Sequence, residues 1–149
     1  MTEIRFYHLT RASLEDALPP MLEKVLERGQ RAVVMAGSVE RVEALTKYLW
    51  TYRDHAFLPH GNAEDGGAED QPIWLTANDE NPNKAQVLML TDGATSSAVK
   101  DFDLVCEIFG DGDPAAVEAS RARWKQYKES GYALTYWQQK ETGGWEKTA

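Results

Sequence analysis

Arg121, Lys125 and Lys128 follow one another at i, i+4 and i+7 near the end of the chain. On a helix that spacing gathers three cations into one stripe, and Trp124, three residues after Arg121, borders it. Two readings of the stripe fit. It is a solvated helix face that Trp124 anchors to a sheet, or it is a docking groove for an acidic, aromatic-ended peptide. In the groove, the cations would meet carboxylates and the indole would wall an apolar side chain. Other candidates carry less. Gly110-Asp111-Gly112-Asp113 follows a strand and opens a helix, but its aspartates would repel a phosphate, so a tight turn plus helix cap accounts for it better. Asp111 and Asp113 beside Glu107 could hold a hard cation, although a solvated strand end is the simpler reading. His8, His55 and His60 have no metal-ligand spacing. Cys106 sits in mid-strand, where a buried, inert thiol is the default. Ser96-Ser97 lacks the strand-turn setting of a hydrolase nucleophile. No catalytic constellation, metal site or cofactor is therefore expected.

These residues must be placed by an alternation of strands and helices. Glu3 to Leu9 alternates and is rich in β-formers, so it reads as a strand. Ser13 caps a helix carrying Leu14, Leu18, Leu22, Val25 and Leu26 at helical spacing, with Gly29 as its stop. Pro19-Pro20 should interrupt or restart that helix, since proline removes a donor and restricts its predecessor. The apolar run Ala32 to Ala36 reads as a strand buried on both faces. Ser38 then caps a second helix that contains Val42, Leu45, Leu49 and Trp50. A long irregular stretch follows from Arg53 to Gln71, carrying five carboxylates. Further strands are expected at 72–76, 85–90 and 103–109. A final helix runs from about Asp113, with Pro114 at its first position, to Ser130, where Gly131 ends it. Tyr132 to Trp137 is a short extended piece, and 143–149 a fraying tail. The order predicts an α/β fold, a mostly parallel sheet flanked by helices with right-handed crossovers. A phosphate loop and a Gly-x-Gly-x-x-Gly fingerprint are both missing after the first strand, so no nucleotide-binding loop is expected.

The chain has 149 residues with 16 basic and 24 acidic ones, a net charge of −8. It fits one domain, 1–140, followed by a flexible tail, 141–149. No apolar run approaches the ~20 residues of a membrane span. Met1 to Arg5 shows no basic leader, and a single cysteine suits a reducing compartment, so a cytoplasmic protein is expected. The charge is uneven. Residues 54–82 hold seven carboxylates and no Lys or Arg, whereas 115–140 hold five cations against two carboxylates, a balance of +3. The negative total argues against DNA as a direct ligand. Direct single-strand binding through Trp124, Tyr127, Tyr132, Tyr136 and Trp137 is one alternative, since aromatic stacking over cations is suitable chemistry, but the strongly anionic remainder of the molecule opposes it. Another is an α/β nucleotide-binding enzyme with an atypical site near Gly110 to Asp113.

Phe6-Tyr7, Leu45-x-x-x-Leu49-Trp50, Phe57-Leu58-Pro59-His60, Pro72-Ile73-x-Leu75 and Arg123-Trp124-Lys125-x-Tyr127-Lys128-x-x-Gly131-Tyr132 occur in this order. The series resembles the chi subunit of bacterial DNA polymerase III holoenzyme, from the first strand to about Trp137. The resemblance implies a Rossmann-like sheet that has lost nucleotide binding. It also implies a non-catalytic adaptor on the clamp-loader side of the replicase, gripping the acidic, Phe-ended C-terminal tail of the single-stranded-DNA-binding protein. Carried onto this chain, the tail groove would use Trp50, Arg121, Trp124, Lys125 and Lys128, with Trp50 and Trp124 walling the pocket for the terminal Phe. Contact with a psi-like clamp-loader subunit would use Phe57, Leu58, Pro59 and His60, although Phe57 and Leu58 are also suitable core residues. Three departures stand out: the region after His60 is acidic and glycine-rich, Val117 occupies a position that is basic in the family groove, and the residues after Trp137 extend beyond the part the resemblance covers.

Overall fold

A computed structural model describes residues 2–51, 60–63, 65–110, 112, 114–142 and 144–149. The chain folds as β1 (Glu3–Leu9), α1 (Leu14–Glu27), β2 (Ala32–Met35), α2 (Val39–Thr51), β3 (His60–Gly61), β4 (Ile73–Thr76), β5 (Val87–Leu90), β6 (Leu104–Gly110), α3 (Pro114–Glu129), β7 (Ala133–Gln139) and β8 (Trp145–Lys147). The strands form one sheet in the order β3-β4-β2-β5-β6-β1-β7-β8. Every neighbouring pair is parallel except β7 with β8. The expected mostly parallel α/β architecture is what forms.

Strand alternation sorts the side chains onto two faces. Ala32 and Val34 of β2, with Cys106 and Ile108 of β6, lie beneath Leu18, Leu22 and Val25 of α1 and Val42, Leu45 and Leu49 of α2. Ile4 and Phe6 of β1, Val33 and Met35 of β2 and Val105 of β6 face the other way, toward Val117, Trp124 and Tyr127 of α3. Two helices therefore cover one face and α3 the other, which gives three layers.

The helix ends follow their local chemistry. Ser13 Oγ accepts the Asp16 N–H at 3.2 Å, and Glu15 and Asp16 place carboxylates at the positive end of α1. Ser38 Oγ likewise accepts from Arg41 N at 3.2 Å to start α2. At the other end of α1, Gly29 N–H donates to Leu26 O and Gln30 N–H to Val25 O, a paired closure that needs the left-handed φ of +71° at Gly29. Gly131 at φ +87° closes α3 in the same way, with Gly131 N–H to Lys128 O and Tyr132 N–H to Tyr127 O. The Asp113 cap lies outside the described residues.

Three expectations need correction. Pro19 and Pro20 do not interrupt α1, which runs unbroken from Leu14 to Glu27. Burial of Leu18, Pro19, Leu22 and Val25 against the sheet outweighs the two missing donors. The stretch from Arg53 to Gln71 contains β3 and a short 3-10 turn at Ala68–Asp70. The segment expected to fray forms β8, in register with Trp137 to Gln139 of β7. Trp145 holds it down, its ring edge-on to Tyr7 at 4.9 Å. Gln139, also beyond the expected extended piece, is buried. Its Oε1 accepts the backbone N–H groups of Arg11 and Ala12 at 2.9 Å each, fixing the loop that leads into α1.

Candidate binding surface on the last helix

α3 is amphipathic in a way that separates its aromatic and cationic residues. Val117, Ser120, Trp124 and Tyr127 recur at i, i+3, i+7 and i+10 and turn toward the sheet. Trp124 meets Phe6 edge-on at 5.3 Å and Tyr136 at 6.0 Å, and Tyr127 meets Phe6 at 6.1 Å. The indole thus anchors the helix, yet it remains partly exposed. Arg121, Lys125 and Lys128 are exposed beside it. Among the described residues none of the three has an ion-pair partner.

Arg123, one position before Trp124, points inward instead. Its Nε donates to Glu107 Oε1 at 2.9 Å and Oε2 at 2.6 Å, and its Nη2 to Ser120 Oγ at 3.3 Å. Glu107 is 2% exposed, so this pair crosses the interface between β6 and α3. Burial pushes the Glu107 carboxyl above its ordinary range, opposed by the Arg123 charge and hydrogen bond. Glu107 itself is not open to the hard-cation reading, because its carboxylate faces α3 and is occupied by Arg123, while Asp111 and Asp113 lie outside the described residues. Among the described residues no group of three or more His, Cys, Asp or Glu is placed to hold a metal ion. The Cys106 thiol is buried and desolvation pushes it up to about 12, which makes it unreactive as a thiolate.

Of the residues expected in the tail groove, the structure brings together Arg121, Trp124, Lys125 and Lys128. It does not bring Trp50 to them. Trp50 is near the end of α2, on the opposite face of the sheet and toward the β3–β4 edge. Its ring lies 4.1 Å from that of His60 and it is 48% exposed. Helical spacing shows which residues share a helix face but not which side of a sheet the helix covers, so this separation was not visible in the sequence. His60 itself is buried in β3, with Nε2 3.0 Å from Thr46 O. Phe57, Leu58 and Pro59 lie outside the described residues. Val117 packs against the sheet cluster under α3.

Gly110 borders a crevice of about 730 Å³ at the C-terminal ends of β1 and β6. The helices after these neighbouring strands cover opposite faces, so this is the switch point where an open α/β sheet usually takes its ligand. Here its arginine is committed. Arg41 Nη1 lies 2.7 Å from Glu15 Oε1, while Nε and Nη2 lie 3.0 and 3.3 Å from the two Asp92 oxygens. The resulting acidic balance is unsuited to a phosphate. No helix among the described residues is long and apolar enough to cross a membrane.

The fold and this surface define a class: a three-layer α/β protein with an open, mostly parallel sheet, carrying on one flanking helix three exposed cations that have no ion-pair partner among the described residues. Comparison with known proteins resolves the class. Residues 1–135 match the family described as DNA polymerase III chi subunit, HolC. A protein of Rickettsia prowazekii named "Probable DNA polymerase III subunit chi" is 33% identical over 105 residues, covering 68% of this chain and 64% of that protein. The "DNA polymerase III subunit chi" of Pseudomonas aeruginosa is 26% identical over 137 residues, covering 90% of this chain and 94% of that one. The chain belongs to the DNA polymerase III chi subunit family.

Proposed function

We propose that this chain is a non-catalytic, cytoplasmic accessory subunit on the clamp-loader side of DNA polymerase III, holding the acidic C-terminal tail of the single-stranded-DNA-binding protein on α3. The observation that carries the reading is the unpaired cationic face of α3. Arg121, Lys125 and Lys128 stand exposed around a partly exposed indole on a chain whose total charge is −8. Tail aspartates and the terminal carboxylate would meet the cations, and the terminal Phe would lie against Trp124. Each exposed ion pair contributes only ~0.2–1 kcal/mol, so the aromatic contact should supply much of the affinity. Trp50, its ring tilted against that of His60, fits the second contact better than the first. With His60 and the segment Phe57-Leu58-Pro59 it would meet a psi-like clamp-loader subunit.

Titration by calorimetry with a synthetic acidic tail peptide, with and without its terminal Phe, tests the assignment. The peptide lacking Phe should bind at least about tenfold more weakly, in keeping with loss of a buried aromatic anchor. Lys125→Glu should weaken the complete peptide by about three- to tenfold, and Trp50→Ala should leave it unchanged. Equal affinity for both peptides would overturn the pocket, and an unaffected Lys125→Glu variant would overturn the stripe.

A further inference from the structure

The face of the sheet opposite α3 carries a second set of cations around an aromatic-walled recess, and nothing in the tail-binding reading uses it. Met21, Lys24 and Val25 of α1, with Arg28 at its C-cap, lie at i, i+3, i+4 and i+7 and so continue one face of that helix. They border a recess of about 100 Å³. Its far wall is aromatic. Tyr7 and Trp145 meet edge-on at 4.9 Å, and Trp137 continues the row, stacked on Tyr7 at 6.4 Å. Its floor is apolar, made by Met89, Leu104 and the buried Cys106.

The charges are unequal in kind. Arg5, at the recess, is spent locally, its Nε 2.7 Å from Glu3 Oε2 and its Nη1 3.4 Å from the Tyr7 hydroxyl. Lys24 and Arg28 are exposed, and among the described residues neither has an ion-pair partner. Glu23 lies about 100° or more around α1 from each bordering residue, and Glu27, three residues after Lys24, lies about 60° from it without closing an ion pair. Lys147 shares the face of Trp145 on β8.

We propose that this recess between α1 and β8 is a second docking site, which takes one bulky apolar side chain of an acidic peptide segment, with Lys24 and Arg28 meeting the flanking carboxylates. Charge complementarity selects the occupant, because two unpaired cations stand beside an apolar pit on an acidic protein. The size of the pit selects one side chain rather than a run of stacked bases. The total charge of −8 and the Glu3 carboxylate at the rim disfavour a polyphosphate strand. The site lies on the opposite face of the sheet from the α3 stripe and does not depend on the reading of that stripe.

Nuclear magnetic resonance of the five indole N–H groups separates the two sites, with the probe a synthetic nonapeptide of aspartates carrying one Phe. The Trp145 indole, assigned from a Trp145→Phe variant, should shift on titration, and should still do so in a Lys125→Glu, Lys128→Glu double variant. In a Lys24→Glu, Arg28→Glu double variant the Trp145 shift should require about tenfold more peptide, while the Trp124 response is kept. Both double variants change only exposed charges, and an otherwise unchanged amide spectrum certifies their fold. A Trp145 indole that stays still, or that shifts equally with a peptide lacking Phe, would overturn the proposal. So would an oligothymidylate that shifts Trp145 where the peptide does not. A silent Trp124 beside a responding Trp145 would overturn only the α3 assignment.

Discussion

At the scale of single residues, the pair that matters most for α3 is the one that takes no part in binding. Arg121, Arg123, Lys125 and Lys128 crowd into eight positions, and only Arg123 turns inward, because Glu107 waits for it at 2.6 Å beneath the helix. That buried contact fixes the rotation of α3 and so leaves the other three cations in solvent. Removing one partner of a buried pair leaves an uncompensated charge, so Arg123→Ala should cost about 3 kcal/mol near neutral pH. The sign with pH follows from the carboxyl. Burial raises Glu107 above its ordinary 4.5, so its contribution to stability is full below that value and is lost as pH rises through the raised one. Without Arg123 the opposing influence is gone, the carboxyl rises further, and the loss grows. The deficit of Arg123→Ala should therefore shrink between pH 7 and about pH 5. Urea unfolding of both proteins at the two values measures it, and a deficit independent of pH would refute the pairing.

At the scale of elements, helix ends were the most legible part of the sequence, because each depends on a residue with one dominant local use. Ser13 and Ser38 accept the N–H groups that a first turn leaves open, and Gly29 and Gly131 supply left-handed φ values. At Gly131 an added Cβ would meet nothing within 4 Å, so a substitution there reads backbone strain alone. Gly131→Ala should lose about 1–2 kcal/mol, and Gly131→Asn less, since Asn tolerates that region better. Thermal unfolding of the two variants checks the order; equal losses would point to a packing role instead. Less legible were features decided at long range. Pro19 and Pro20 obey a local rule that burial against the sheet overrides. β8 is short and exposed, and its signal is one ring, Trp145, whose partner Tyr7 lies far away in sequence. The α3 stripe could be read from spacing, but the opposite placement of Trp50 could not, since that depends on which face each crossover takes.

At the scale of the molecule, the total of −8 conceals a separation that the sheet order makes spatial. Asp65, Glu69, Asp70, Asp79 and Glu80 lie around the β3–β4 edge, whereas α3 lies over β6 and β7, several strands away. An acidic peptide is repelled from the first region and drawn to the second, so the unfavourable average steers it toward the helix. The two consequences of charge then respond to salt in opposite directions. Screening relieves the self-repulsion of a chain at −8 and should raise the melting temperature slightly, while weakening peptide docking onto exposed cations. Between about 20 and 300 mM NaCl, where the screening length falls from roughly 20 to 6 Å, peptide affinity should drop by about tenfold. Calorimetric titration and thermal unfolding in the same buffers give both slopes. Affinity that stays flat while the melting temperature rises would mean that the apolar contact at Trp124 alone holds the peptide. A melting temperature that falls together with affinity would mean that ion pairs within the fold, led by Arg41 with Glu15 and Asp92, outweigh the repulsion between its acidic edge and the rest.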